Sequence, residues 1–443
     1  MKTKLFSLFF AIVASIGTLF AESGTCGENL TWDLTDGVLT ISGTGTMNGY
    51  DYVVGIYASP WCYQRSSITS VVISDGVTSI GNYAFLGCSS LSSVDIPNSV
   101  TSIREGAFQG CSDLTVVTIG NGVTSIGDRA FYDCSSLTSV TIGNSVTSIG
   151  MGAFWGCTSL TSVNIPNSVK SIGNGAFNLC TNLTSVEIPN SVISIGDDAF
   201  FDCGSLSSIN VVETNQNYSS IDGVLFNKNK TLLIQYPINK ESKIYEIPSS
   251  VTSIGDGAFN YYPRIESIII PNSVISIGER AFHYCGYFNS ITNYSTTPQT
   301  IASNVFTNVD KSISLYVPEE SVALYQAAEY WNEFTNIQPI PQEVKCDIRY
   351  VDKNAELVFN EQFTFHVPEA PEFDGFTFVR WEFVGGAISE GLTIQAVYQA
   401  VTPTSAPDVV INPSNPAQKL IRNGNVYILT GDKTYTITGQ RVE

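Results

Sequence analysis

Histidine is almost missing from this chain: His283 and His366 are its whole complement in 443 residues. They stand far apart, so a Ser–His pair or a histidine-based metal centre has little to be built from. No H-E-x-x-H, G-x-S-x-G, P-loop or calcium-loop spacing occurs either. Charge is sparse as well. Charged residues make up 14% of the chain, with 21 Lys and Arg against 40 Asp and Glu and a net charge of −19. A chain without basic clusters is a poor partner for phosphate backbones, which sets nucleic acid aside. Nothing in the sequence asks for a metal or a cofactor, and an enzyme is not expected. Only paired-carboxylate chemistry is left open by the composition, so a glycan-degrading enzyme stands as a remote alternative. Its candidate acids are Asp197 and Asp198, with Asp128 and Glu279 at the matching turns of other repeats; solvated corners are the ordinary account of such residues.

Long apolar runs are also lacking beyond the N-terminus. Residues 1–21 read as a secretory signal, with Lys2 and Lys4 ahead of an apolar run from Leu5 to Leu19 and with Ala21 last before the cut. That run holds about 15 residues where a bilayer span needs roughly 20. The expectation is an exported chain with no membrane insertion after signal removal.

What the sequence has in abundance is repetition. The stretch 137–159, LTSVTIGNSVTSIGMGAFWGCTS, is 23 residues long, and its pattern recurs without a gap from Ile68 to Ser205. It then returns over 242–264 and 265–287. Written as positions 1 to 23, the pattern is L-x-x-V-x-I-P-N-S-V-x-S-I-G-x-x-A-F-x-x-C-x-x. A fixed period of this length signals a solenoid, in which each coil buries its apolar side only against its neighbours. Positions 4 and 6 alternate as a strand with one buried face, Pro or Gly with Asn-Ser makes a turn, and a second short extended run follows. The A-F-x-x-C piece suits one helical or 3-10 turn facing inward. Stacking about 4.8 Å apart gives two parallel sheets along a rod of about nine coils.

Seven of the ten cysteines, Cys88, Cys111, Cys134, Cys157, Cys180, Cys203 and Cys285, occupy position 21. Equivalent residues of stacked coils have parallel Cα–Cβ directions, which a disulfide does not tolerate. They read as buried thiols. Cys26 and Cys62 lie outside the column and remain a candidate disulfide pair; Cys346 is left over.

The repeat pattern resembles the BspA-like leucine-rich repeats of bacterial surface proteins (Bacteroidetes type), and eight full units carry it. The fold class expected is therefore a mainly β leucine-rich repeat solenoid of 23-residue coils, capped at both ends and followed by a small β-grasp-like domain. Residues 22–67 form the N-terminal β cap, with a hairpin from 30–34 (LTWDL) to 38–41 (VLTI) and with Trp61 and Tyr63 lying over the first coil's core. The solenoid runs over 68–310 with a hairpin insertion at 212–241. Residues 311–340 close the open end with an amphipathic helix, whose Val322, Tyr325, Ala328 and Trp331 share one face. Residues 375–381 (GFTFVRW) and 392–398 (LTIQAVY) resemble the β-grasp repeats of the Listeria–Bacteroides type, which places such a module at 343–400. A Pro-rich linker follows at 401–418. The last segment, 419–443, resembles the short C-terminal sorting tail of type IX export, implying display on the exterior of the bacterial outer membrane.

Two surfaces are candidates for binding. The outward positions of the first strand make a face of small hydroxyls with one varied column at position 5: Asp95, Thr118, Thr141, Asn164 and Glu187. Position 19 also varies and carries aromatics just outside the buried Phe, with Tyr132, Trp155 and Phe201 as an anchor stripe. Partial packing over the neighbouring turn is the bland account of that stripe. The resemblance implies adhesion, with an extracellular protein, a glycan or another cell as partner and a monomeric chain. The competing reading is a structural envelope or display protein without a specific ligand.

Overall fold

The computed structural model describes residues 22–341, except 51, 54, 55 and 58 and the side chains over 51–58, and beyond them the backbone of seven strands. The chain divides into two units, Met1–Ile340 and Pro341–Glu443. The expected secretory signal at 1–21, the thiol of Cys346 and most of the linker lie outside the described residues.

The period of 23 is translated directly into register. Ser93–Ile96 pairs in parallel with Val116–Ile119, which pairs with Ser139–Thr141, so that Val94, Val117 and Val140 fall opposite one another. The second sheet runs through Ser102–Ile103, Ser125–Ile126, Ser148–Ile149, Ser171–Ile172 and Ser194–Ile195, again with like opposite like. These five strands are two residues long, four of them followed by the Gly of position 14 and Ser102–Ile103 by Arg104. Counting the caps and an extra coil described below, about twelve turns stack where the repeat pattern had suggested nine.

The A-F-x-x-C segment is a chain of i→i+3 turns. Cys88 N–H donates to Phe85 O and Leu91 N–H to Cys88 O, and both bonds recur in each coil from 91 to 182. It never becomes a helix because positions 16 and 20 are left-handed: Arg129 and Asp133 have φ of 53° and 56°, Gly106 and Gly110 of 57° and 72°. These turns also bond from coil to coil, as when Phe131 N–H donates to Ala153 O.

Inside, Phe85, Phe108, Phe131, Phe154, Phe177 and Phe200 form one column, with ring centroids 5.0 to 5.7 Å apart. Each such offset pair adds about 0.5–1.5 kcal/mol beyond the area it buries. The thiols stand beside it, all free. Cys134 Sγ–H donates to Phe108 O at 3.2 Å and Cys157 to Phe131 O at 3.3 Å, each reaching back to the preceding coil. Burial pushes the Cys88 and Cys180 thiols up to about 12, so the column stays protonated and unreactive.

Both ends are closed by tryptophan. Trp61 stacks on Phe85 at 5.7 Å and its indole N–H donates to Ala84 O. Tyr63, expected beside it over the core, is 87% exposed, because the successive i→i+3 turns over 59–67 that bury Trp61 put Tyr63, two residues on, on the solvent side. At the other end Trp331 meets Phe306 edge-on and donates to Gln299 O. The expected single helix over 321–334 is broken: Val322–Ala327 is helical, Ala328 is extended, and left-handed Tyr330 starts a 3-10 turn at Trp331. Tyr325 and Trp331 are both buried as their spacing suggested, but seating the indole on Phe306 requires the kink.

The insertion proves to be part of the core. Tyr218–Ile221 and Val224–Asn227 form a hairpin, and Leu232–Gln235 returns antiparallel and then pairs in parallel with Ser253–Ile254, starting a separate five-stranded sheet. Tyr236 N–H donates to Ala258 O, the bond made elsewhere by the column Phe, and its ring stacks on Phe259 at 5.2 Å. An irregular coil thus sits between 183–205 and 242–264. Leu225 packs into the first half of the core, and its neighbours Val224 and Phe226 pack into the second.

In the second unit, Phe376–Gly385 pairs antiparallel with Thr393–Ala400, over the two segments that resemble a β-grasp repeat. Cys346–Val351 pairs with Leu357–Phe363, and Gln418–Arg422, Asn425–Thr430 and Lys433–Thr436 form a three-stranded antiparallel sheet.

Candidate binding surface

The position-5 column is exposed throughout: Asp95, Thr118, Thr141, Asn164 and Glu187 all point to solvent. Ladder pairing sets Asp95 beside Thr118 and Thr118 beside Thr141, while Glu187 lies beside Asn210. Between these two groups the sheet narrows to a single bridge from Val163 to Val186. The column also extends backwards into the cap. Thr40 pairs with Val72, Asp33 with Thr40 and Ser23 with Asp33, so the cap hairpin continues the same face. A saddle of about 410 Å³ lies there, walled by Ser23, Thr25, Thr31, Asp33, Thr40 and Ser42. The repeat pattern could not reveal these residues because the cap does not carry it; the alternation of 30–34 was the available signal.

The hydroxyls beside this column are less free than the sequence implied. Thr115 Oγ–H donates to Ser92 O and Thr138 to Thr115 O, while at position 11 Thr124 donates to Thr101 O and Thr147 to Thr124 O. These side chains staple each coil to the one before it. Their donors are spent on the scaffold.

At position 19 the anchor stripe separates into two groups. Tyr132 and Trp155 stack with centroids 6.0 Å apart, and with Gln109, Arg129, Met151 and Gly152 they line a groove of about 320 Å³. The Trp155 ring also leans over the next turn, where a Cβ at Gly175 would approach it to 2.9 Å. Asn178 is buried and ends the stripe. Phe201 belongs elsewhere: its ring meets Tyr261 edge-on at 5.7 Å, a partner 60 residues on that the sequence pattern did not connect to it.

His283 is half-buried with Nδ1 3.0 Å from Asn260 Oδ1, and burial, helped by the Arg280 charge, lowers its pKa below the ordinary value. Its ring packs edge-on against Tyr261 and Tyr284. Asp197 and Asp198 are exposed on a turn and line neither concavity. Among the described residues no group of three or more His, Cys, Asp or Glu side chains is placed to share a metal ion. No helix among them is long and apolar enough to cross a membrane.

Cys26 and Cys62, the candidate disulfide, are free thiols. Cys26 faces into the cap core, whereas Trp61 turns inward within the 59–62 turn and so leaves its neighbour Cys62 half-exposed.

A polar sheet face, a variable turn edge and a buried apolar interior define a leucine-rich repeat solenoid. Residues 58–163, 147–250 and 236–347 match the BspA type leucine rich repeat region, in six copies. The chain belongs to that family. Similar solved structures include a leucine-rich repeat protein from Eubacterium ventriosum, 26% identical, covering 76% of this chain and 89% of that one with a TM-score of 0.49. A leucine rich cell surface protein from Faecalibacterium prausnitzii is also 26% identical, covering 72% and 94% with a TM-score of 0.45. A Bacteroides ovatus leucine-rich repeat protein is 22% identical over 71% and 88%, with a TM-score of 0.42. No curated protein matches the chain.

Proposed function

We propose that this chain is an exported, surface-held adhesion protein that binds an extracellular protein or glycan through the outer face of its solenoid. One observation carries the reading: on a scaffold whose interior repeats almost unchanged, variation is concentrated at exposed position 5 and at the aromatic turn edge. Aromatic anchors in a shallow groove are the usual source of interface energy, and Tyr132 and Trp155 supply them. The repeat family, with a cell surface protein among the similar structures, supports the location.

Pull-down from extracellular matrix and a glycan array, run on the full chain and on Trp155→Ala, test this directly. Loss of about 1.4 kcal/mol, a tenfold weaker Kd, is expected for the variant. Binding of nothing by either protein, with whole-cell adhesion unchanged in Trp155→Ala, would sink the reading. A second reading, a display protein without its own ligand, is favoured by the hydroxyls already committed to the coil-to-coil staples. Surface display itself is tested by cell fractionation after removal of residues 419–443, which should release the protein from the surface if that segment is a sorting tail.

A further inference from the structure

The irregular coil at 212–241 has no outer turn of its own. Along the regular coils the position-16 N–H donates to the next turn, from Gly152 to Asn174 O and from Gly175 to Asp197 O, and the series resumes from Gly257 to Glu279 O. No such bond runs from Asp198 to Asp256. Instead the outer turn of 183–205 lies directly against that of 242–264, and a Cβ at Gly257 would stand 3.6 Å from Asp198 Oδ1. Across this seam Phe201 meets Tyr261, and Tyr261 stacks on Tyr284 with centroids 4.4 Å apart and planes 6° from parallel. His283 packs edge-on against both tyrosines.

Tyr261 and Tyr284 occupy position 20 in adjacent coils, with φ of 60° and 59°. Glycine fills that position at Gly87, Gly110 and Gly156, with φ of 67°, 72° and 73°. A bulky residue in the left-handed region costs about 1–3 kcal/mol. Leu179 also sits there, but it is half-buried, whereas Tyr261 and Tyr284 are 42% and 44% exposed. Stacking recovers part of the cost, yet the coil needs neither ring.

The surroundings are acidic. Asp197, Asp198, Asp256 and Glu279 line the flanking turns with Arg280 as the cation among them, and Asp202 raises the Tyr261 hydroxyl pKa as one of several contributors after desolvation. Crowding of the two turns raises the Asp198 carboxyl as well, with Arg280 opposing and Asp197 and Asp256 adding to it. The chain as a whole carries −19.

We infer that this seam is a docking seat for a basic segment of a partner protein, whose Lys and Arg side chains lie against the aromatic cluster of Phe201, Tyr261 and Tyr284 and pair with the flanking carboxylates. Cation–π contact and charge pairing reinforce each other there, and the net negative field draws a basic segment in. The inference rests on the chain being a binding protein, but it places the contact apart from the Tyr132–Trp155 groove.

The test uses the full chain and a fluorescent Arg/Lys nonapeptide, with a Glu nonapeptide and a neutral oligosaccharide as controls. The double variant Tyr261→Gly/Tyr284→Gly places glycine where other coils already have it, so it should fold with an unchanged or raised Tm. The expected result is binding of the basic peptide alone, weakened severalfold between about 50 and about 300 mM NaCl. It should weaken about tenfold in the double variant, less in Asp202→Asn, and not at all in Trp155→Ala. Equal binding by the double variant and the parent, or a preference for the neutral sugar, overturns the seat. Loss of adhesion in Trp155→Ala with basic-peptide binding absent everywhere overturns the seat and leaves the proposed function standing. Intact peptide binding with cell adhesion unaltered in every variant supports the seat and overturns the function.

Discussion

The Cys column couples single side chains to pH. Each thiol is held protonated by burial, and those of Cys88, Cys180 and Cys285 rise to about 12 from an ordinary 9.0. A folded-state value above the unfolded one gives stability that is complete below pH 9 and is lost as pH climbs toward the folded value. The loss is about 1.4 kcal/mol per pH unit per thiol, and it accumulates down the column. Denaturant melts should therefore show a steep fall in stability between pH 9 and pH 11, made shallower by Cys134→Ala. At neutral pH a thiol reagent should label Cys62 among the described cysteines and spare the column until the chain is unfolded. In the Phe column, Phe131→Ala opens a void between two stacked rings and should cost about 3–5 kcal/mol in chemical denaturation.

Elements differ in how plainly their residues announce them. Regular coils were legible because one residue type recurs at each buried position, and register then follows from equal spacing: Val94, Val117 and Val140 could only meet one another. The second coil type was not. Tyr236 does the work of a column Phe, but its coil has lost the repeat's spacing, so residues 212–241 read as a hairpin alone. The contact of Phe201 with Tyr261 was hidden for the same reason, since a period of 23 places Phe201 beside position 19 of the next repeat in sequence and not beside position 20 of a coil beyond the insertion. At the C-terminus, periodicity found the buried Tyr325 and Trp331 but not the left-handed Tyr330 that breaks the helix between Trp331 and its predecessors. Tyr236→Ala should lower Tm as a column Phe→Ala does, a result that an ornamental hairpin would not produce; deleting the ring removes the stacking partner of Phe259.

At the level of the whole solenoid, no coil is stable by itself, and the caps matter out of proportion to their size. Trp61→Ala exposes the end of the Phe column and removes the donor to Ala84 O, so it should destabilise the first coils more than the last. Hydrogen exchange would show this as faster exchange over 68–113 than over 265–317. The surplus of acid works against compaction, and added salt should raise Tm by screening it. Most side-chain staples between regular coils point one way: Thr115 donates to Ser92, Thr138 to Thr115, and the buried thiols of Cys111, Cys134 and Cys157 to the coil before their own. The side-chain donors of a coil thus find acceptors nearer the N-terminus, while its turn N–H groups, like that of Phe131, take theirs from the coil that follows. A chain made or threaded through a pore N-terminus first would meet, at every step, a preceding coil that already offers acceptors to the new staples and still holds open turn N–H groups for the arriving coil to fill, so that each coil completes the one before it.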